Sequence, residues 1–353
     1  MTPIIARVFR GETLESVHRG HIIVLDGEGN TVFKTGRPET VTFWRSASKI
    51  FQAIPFITSG AADAFSFDER EIALACASHS GESFHTETAF GMLAKAGLTE
   101  SDLGCGSHTP FHHPTAESLI RSGEKPTQLH NNCSGKHSAM LAFAKHIGAE
   151  LRSYLSLDHP VQRAIIETTS LFSGVPKEEI RTGIDGCSAP NFAVPVSAMA
   201  KAFARLNFPE EFDSAVRESG IADRAKLEEA CRRIIAAQIK FPEFVGGSIR
   251  LDTKIMQALS GKIISKVGAE GVWCATVLPS EKWSSGLGIA LKVEDGDDGR
   301  ARPAVAIELL RRLGLMNDES ERALGEFSPM DLKNRKGVVT GNVVADLSEG
   351  EKS

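Results

Sequence analysis

The feature that most constrains this chain is the order of its strand-like and helix-like segments. His18 to Asp26 alternates loosely, carries Ile22, Ile23, Val24 and Leu25, and runs into the turn Gly27-Glu28-Gly29-Asn30. A second β-prone run, Thr31 to Lys34, follows at once, so the two read as a hairpin. Val41 to Trp44 adds a short strand. From Ser48 to about Ser260 the apolar residues recur mostly at helical spacing, clearest over Asp68–Ala77, Thr86–Ala96, Ser134–His146, Pro160–Phe172, Val196–Leu206 and Arg224–Gln238. Strand character returns at Ile263–Lys266, Gly271–Leu278 and Gly286–Val293, closed by the acidic turn Glu294-Asp295-Gly296-Asp297-Asp298-Gly299. A helix is predicted from Pro303 to Leu313, opened by a proline that suits a first helical turn. Strands at both ends of a helical block predict one sheet assembled from the two termini, with helices packed on it. With no repeat, low-complexity run or linker-like stretch, residues 1–353 read as a single α/β domain: strands about 18–45 and 263–293, and a mainly helical lobe about 48–260.

Composition narrows the function classes. The 353 residues are 41% hydrophobic and 24% charged, an ordinary globular mixture that supports a buried core. The net charge of -5 lacks the basic excess of a nucleic-acid binder. No apolar run is long enough for a bilayer helix, and the charged residues of MTPIIARVFRGETLES come too early for a signal peptide. The expectation is a cytoplasmic protein with neither nucleic-acid nor membrane partners. Cys76, Cys105, Cys133, Cys187, Cys231 and Cys274 are scattered, which argues against a disulfide framework. Cys76, Cys105, Cys231 and Cys274 read as small buried hydrophobes.

Several short segments carry chemistry. In Arg45-Ser46-Ala47-Ser48-Lys49 a strand hands over to a helix, and Ser46 and Lys49 form an S-x-x-K pair. At a helical spacing of three, hydroxyl and amine share a face, the geometry a lysine needs to deprotonate a serine nucleophile. The plain alternative is a helix start with Ser46 or Ser48 as cap and a solvated lysine. An ordinary lysine is only roughly 0.04% neutral at pH 7, so a lysine base requires a crowded, partly dry site. Ala77-Ser78-His79-Ser80-Gly81-Glu82 puts two hydroxyls and an imidazole into a turn. Lys266-Val267-Gly268-Ala269-Glu270-Gly271 ends a strand with small residues that admit a substrate close to the backbone.

Asn131-Asn132-Cys133-Ser134-Gly135-Lys136-His137 opens a helix and pairs with Gly183-Ile184-Asp185-Gly186-Cys187-Ser188-Ala189-Pro190. Both are polar, glycine-bearing turns around a cysteine. Cys133, Cys187 and His137 are conventional zinc donors, while two buried thiols or a Cys–His nucleophilic pair fit the same residues. His108, His112 and His113 cluster in a loop that Pro110 and Pro114 stiffen, which reads first as a surface loop and alternatively as the rim of a site.

In this order, and together with Glu15-Ser16-Val17-His18-Arg19-Gly20, these blocks resemble the rhizobial-type L-asparaginase family over roughly Glu15 to Asn342. The resemblance implies a β-lactamase/glutaminase-like α/β fold, with an antiparallel sheet of N- and C-terminal strands and a helical lobe. It also implies hydrolysis of L-asparagine to L-aspartate and ammonia, a bound Zn2+ and a homodimer. Ser46 and Lys49 match the family's first serine–lysine pair, Ser78 and Lys266 its second, and Cys133, Lys136 and Cys187 its zinc ligands. Arg45, His137, Asp185 and Glu270 fall at substrate or supporting positions. The places of the β-lactamase S-D-N and K-T-G motifs hold Ser78-His79-Ser80 and Lys266-Val267-Gly268, so lactam hydrolysis is not implied. Side-chain chemistry favours His137 as third zinc donor, since only a neutral amine has a lone pair to give; the resemblance favours Lys136.

The resulting expectation is a serine amidohydrolase in which Ser46 attacks with Lys49 as base, and Ser78 and Lys266 relay protons or Ser78 itself attacks. Backbone N–H groups after Ser46 or in the Gly268–Gly271 turn are candidate oxyanion donors. Alternatives are a related amidase such as a glutaminase, a penicillin-binding-like sensor that acylates without turnover, and a non-catalytic fold with structural cysteines.

Overall fold

A computed structural model describes residues 1–219 and 224–352. The strands are β1 (Ile4–Arg10), β2 (Thr13–Asp26), β3 (Thr31–Thr35), β4 (Val41–Phe43), β5 (Arg181–Ile184), β6 (Pro190–Pro195), β7 (Ile263–Val267), β8 (Val272–Val277), β9 (Leu287–Val293), β10 (Met330–Lys333), β11 (Val339–Ala345) and β12 (Glu351–Lys352). The helices are α1 (Lys49–Thr58), α2 (Ala61–Ala64), α3 (Glu69–Ala75), α4 (Ser83–Lys95), α5 (His113–Ser122), α6 (Ser134–His146), α7 (Pro160–Ser173), α8 (Val196–Arg205), α9 (Glu210–Ser219), α10 (Arg224–Lys240), α11 (Pro242–Gly246), α12 (Leu251–Ala258), α13 (Ala301–Arg312) and α14 (Asp318–Leu324).

These elements form two compact units. The sheet unit gathers Met1–Ala47, Val194–Pro209 and Lys254–Ser353; the helical unit holds Ser48–Ala193 and Glu210–Thr253. In the sheet unit the strand order is β10-β11-β1-β2-β9-β8-β7, with β3 between β2 and β12. All these pairs are antiparallel, and N-terminal strands pair directly with C-terminal ones, as the sequence predicts. Every residue of β7 and β8 is buried, so both faces are covered. Helix α8 takes one face: Thr276 Oγ1 donates to Phe203 O at 2.7 Å, and its cross-strand neighbour Gly288 lies so close that a Cβ would stand 2.0 Å from Ala200 O. Cross-strand partners point to the same side of a sheet. The registers Thr276↔Ile264 and Lys266↔Cys274 therefore put Lys266 on this α8-covered face.

The helical unit is organised around two helices buried on nearly all sides. Residues Lys49 to Ile57 of α1 and Ser134 to Ala144 of α6 are all buried, the pattern of a core helix rather than an amphipathic surface helix. Helix α1 contacts α6, α7 and α10, and the aromatic chain Phe51–Phe172–Phe212, with ring centroids 5.3 and 4.8 Å apart, stitches α1, α7 and α9 together. The polar residues of interest stand at the N-terminal ends of these helices, where the backbone turns out of its hydrogen-bonded ladder.

Helix α6 matches its predicted span residue for residue, and α3, α7 and α8 match within a few. The hairpin β5–β6 inside the predicted helical block was read only as a glycine-bearing turn, and β1, β10, β11 and β12 escaped notice. Arg7 and Arg10 in β1, Asp331 and Lys333 in β10, and Thr340, Gly341 and Asn342 in β11 interrupt the apolar alternation, which is therefore weak. Among the described residues no helix is long and apolar enough to cross a membrane.

Candidate active site

In the helical unit, Lys49 is the first residue of α1 and is 1% exposed. Its Nζ donates to Ala77 O at 2.7 Å and to Ser78 Oγ at 3.0 Å. The structure thus joins two blocks that are far apart in sequence: the amine of the S-x-x-K motif meets the hydroxyl of the Ser78 turn. Ser46 lies in the 3-10 turn Arg45–Ser48 that leads into α1, and Arg45 opens that turn with φ 52°, a left-handed backbone.

The Ser78 segment is held from several sides. Ser78 N donates to Val245 O at 2.9 Å, Ser80 Oγ to Gly246 O at 2.8 Å, and Ser248 N to Glu82 Oε1 at 2.8 Å. Gly247, at φ 119°, has no room for a side chain: a Cβ would stand 2.5 Å from Ser80 Oγ and 2.8 Å from Glu82 Oε1. The Val245–Ser248 loop is therefore part of the site's scaffold, and its sequence signal, Gly246-Gly247, was passed over. His79 is fully buried. Its Nδ1 accepts Gly81 N–H at 3.1 Å, so the ring proton sits on Nε2 and is donated to Ser134 Oγ at 2.9 Å, which donates on to Leu129 O. Burial pushes the pKa of His79 well down, and neighbouring His85 and Lys49 add to the effect. His108 and His112 of the proline-bounded loop also attach here. Asn132 N donates to His108 Nε2 at 2.9 Å, and His112 Nε2 lies 3.7 Å from Glu82 Oε2.

The two cysteine turns converge in the same unit. Cys133 precedes α6 and Cys187 lies in the β5–β6 turn, both 3% exposed. Lys136 Nζ lies 3.2 Å from Cys187 Sγ. Cys187 is held well below the usual thiol range by the hydrogen bond from Cys133, with the Lys136 ammonium assisting against burial. Cys133, donating that bond and buried, is pushed up. Burial alone would lower Lys136, but Cys187, Cys133 and Asp185 outweigh it and raise its pKa. Burial lowers His137. Its Nδ1 is 2.6 Å from Tyr154 Oη, and the ring's other polar neighbour is Cys187. Tyr154 Oη accepts Gly104 N–H at 2.8 Å, leaving its own proton for Nδ1 of His137. Tyr154 is the chain's one tyrosine, a signal the sequence reading did not use.

As a metal cradle, two thiols and one amine within hydrogen-bonding reach form an S, S, N donor set. Among the described residues no three of His, Cys, Asp and Glu are grouped closely enough to hold a metal ion. Cys133 and Cys187 bring two thiols beside Lys136 and His137; with its pKa raised, Lys136 stands as an ammonium and offers a metal no lone pair until it gives up that proton. Asp185 caps the turn, its Oδ1 accepting Gly186 N–H at 2.9 Å.

In the sheet unit, Ser46 is half-buried and Lys266 fully buried. Lys266 Nζ reaches Val267 O at 3.3 Å. Arg45 Nη1 faces Glu270 Oε1 at 3.9 Å. Both residues have left-handed backbones, Glu270 at φ 64°, a strain that concentrates at functional positions. Of the turn's N–H groups, Gly268 N–H donates to Val272 O at 2.9 Å and Gly271 N–H to Asp298 Oδ1 at 2.8 Å, so within this turn the oxyanion expectation narrows to Ala269 and Glu270.

An amine held against a buried serine hydroxyl is the equipment of a hydrolase. The family follows from the sequence: residues 6–345 match the model of L-asparaginase II, so the chain belongs to the L-asparaginase II family and is an amidohydrolase. No curated protein sequence matches the chain. Solved structures resemble it remotely. A probable glutaminase from Bacillus subtilis complexed with 6-diazo-5-oxo-L-norleucine is 13% identical over 84% of each chain, at TM-score 0.41. A Bacillus glutaminase solved in 4.3 M NaCl is 14% identical over 84% of this chain and 91% of its own, at TM-score 0.40. A β-lactamase from Burkholderia ambifaria is 13% identical over 84% of this chain and 94% of its own, at TM-score 0.38. At such distances the family match alone bears on function.

Proposed function

We propose that this protein is an L-asparaginase that hydrolyses L-asparagine to L-aspartate and ammonia by serine–lysine covalent catalysis. The observation that carries the reading is the buried hydrogen bond from Lys49 Nζ to Ser78 Oγ in a chain of this family. Ser46 Oγ attacks the side-chain amide carbon and gives its proton to Lys49. The carbon–nitrogen bond then breaks as the nitrogen takes up a proton relayed through Ser78 and Lys266, and ammonia leaves an acyl group on Ser46. Water, deprotonated by the same amine machinery, attacks that ester; aspartate departs and the serine proton returns. Arg45 offers a cation to the substrate carboxylate, Asp185 and Glu270 offer anions to its α-ammonium group, and His137 supports the pocket.

Cys133, Lys136 and Cys187 would hold a zinc ion. When bound there, zinc would supply Lewis acidity near the substrate's polar groups. The chain's own contribution is a buried cradle that excludes water around them. The protein is further proposed to act in the cytoplasm, as its sequence suggests, and as a homodimer, which the resemblance implies and sedimentation equilibrium tests.

A second assignment of the nucleophile is favoured by the same hydrogen bond, because Lys49 is already in contact with Ser78. A diazo-ketone analogue of asparagine distinguishes the two. Intact mass and peptide mapping are expected to find one label on Ser46; a label on Ser78 exchanges the roles of the serines. No label, with no ammonia release, refutes covalent serine catalysis.

A further inference from the structure

We propose that Asp298 and Arg302 are positioning residues that clamp the β7–β8 turn and thereby set Lys266 and Glu270; the proposal rests on the reading that those two residues serve the asparaginase reaction. The turn, residues 268–271, is tied at both ends to one ion pair. Arg302, buried in the first turn of α13, donates through Nη1 to Gly268 O at 2.7 Å and to Asp298 Oδ1. The same Asp298 Oδ1 accepts Gly271 N–H at 2.8 Å. One pair thus fixes the carbonyl at the start of the turn and the N–H at its end.

Between these anchors Glu270 is held at φ 64°, a conformation that persists only where the surroundings over-determine it. The acidic loop presses on it from a second side, since a Cβ on Gly296 would lie 2.7 Å from Glu270 Oε2. Lys266 precedes the turn by a single residue, and its Nζ bonds to Val267 O, so a shift of the turn reaches the amine directly.

The other carboxylates of the loop are engaged elsewhere: Asp295 meets His18 Nδ1 at 2.7 Å, Asp297 accepts the N–H groups of Arg300 and Ala301, and Glu294 accepts Thr2 Oγ1. The loop therefore reads as a set of anchors. Asp298 is 45% exposed, and so open an ion pair contributes little to stability. Its effect is expected in geometry, where misplacement of a reacting group by about 1 Å costs on the order of 100-fold in rate.

The test measures steady-state ammonia release from L-asparagine by the full chain carrying Asp298→Ala, Asp298→Asn, Arg302→Met, Lys266→Ala and Asp298→Ala with Lys266→Ala, alongside thermal unfolding. Asp298→Ala and Arg302→Met are expected to lower kcat roughly 10–100-fold while remaining folded. Asp298→Asn, which keeps an acceptor for Gly271 N–H, recovers most of the loss. The double variant loses less than the product of the two single losses, because the part of the Asp298 effect that runs through Lys266 is already gone. A folded Asp298→Ala with wild-type kcat, or a double variant in which the two losses multiply, overturns the clamp while the asparaginase reading stands. If Asp298→Ala does not fold, Asp298→Asn and Arg302→Met decide: wild-type kcat in both overturns the clamp. Full turnover by Lys266→Ala removes the reading beneath it, and the clamp with it.

Discussion

Acidification from pH 7 to pH 5 is expected to destabilise this protein through His85 alone by about 2 kcal/mol. His85 is fully buried. Its Nδ1 accepts Glu82 N–H at 3.1 Å, its Nε2 faces Glu243 O at 3.0 Å, and its ring stacks on His79 with centroids 4.7 Å apart. The accepting Nδ1 requires the neutral ring. Burial lowers the pKa from 6.5 to about 4, only partly opposed by the Glu243 carbonyl and Glu82. Between those two values the unfolded chain binds more protons than the native one, so stability falls as pH falls. The contribution is fully present above pH 6.5 and is lost progressively toward pH 4. The whole displacement corresponds to about 3 kcal/mol, of which about 2 kcal/mol is gone by pH 5. Urea unfolding at both pH values, on wild type and His85→Gln, isolates the group, because other titrations are common to both proteins. The variant is expected to lose about 2 kcal/mol less than wild type between pH 7 and pH 5. Equal losses, or an imidazole resonance of His85 that titrates near 6.5, would refute the reasoning. In the native state the ring takes up its proton only near pH 4, undoing the bond from Glu82 N–H to Nδ1, so activity of the folded enzyme should fall toward pH 4 rather than between pH 7 and pH 5.

Three other substitutions probe separate parts of the account. Gly247→Ala places a methyl group against Ser80 Oγ and Glu82 Oε1 at φ 119°; kcat should fall while thermal unfolding shows a cost of about 1–3 kcal/mol, and an unaffected kcat would remove the loop from the scaffold of Ser78. Cys187→Ser should abolish stoichiometric zinc in metal analysis of the purified protein, whereas Cys231→Ser, far from the cradle in sequence and set in α10, should leave it unchanged. Gly288→Ala drives a methyl group into the backbone of α8, and overpacking of this kind should cost about 1–3 kcal/mol in denaturant unfolding.

Much of the architecture was legible because the chain writes it in periodicity. Ser134–His146 reads as a helix and is one, and the β-branched runs at Ile22–Val24 and Ile263–Ile264 announce buried strands. The peripheral strands were illegible for a physical reason: in Val339–Ala345 and Met330–Lys333 one face stays wet, and polar residues interrupt the alternation. The S-x-x-K and cysteine blocks stood out as residue types, but the meeting of Lys49 with Ser78, and of Lys136 with Cys187, depends on chain folding that spacing cannot encode. The φ of 52° at Arg45 was equally hidden, since nothing about arginine foretells a left-handed backbone. Tyr154 and Gly246-Gly247 did leave a trace, as the one tyrosine and a glycine pair in an otherwise helical stretch.

The most direct test of the central claim is ammonia release by the purified chain from L-asparagine, with L-glutamine and the Ser46→Ala variant beside it. The account predicts release from asparagine that disappears in Ser46→Ala while the fold persists, and weaker release from glutamine, since one methylene is worth only about 1–3 kcal/mol of discrimination. A folded, zinc-loaded wild-type protein that releases no ammonia from either amide would contradict it.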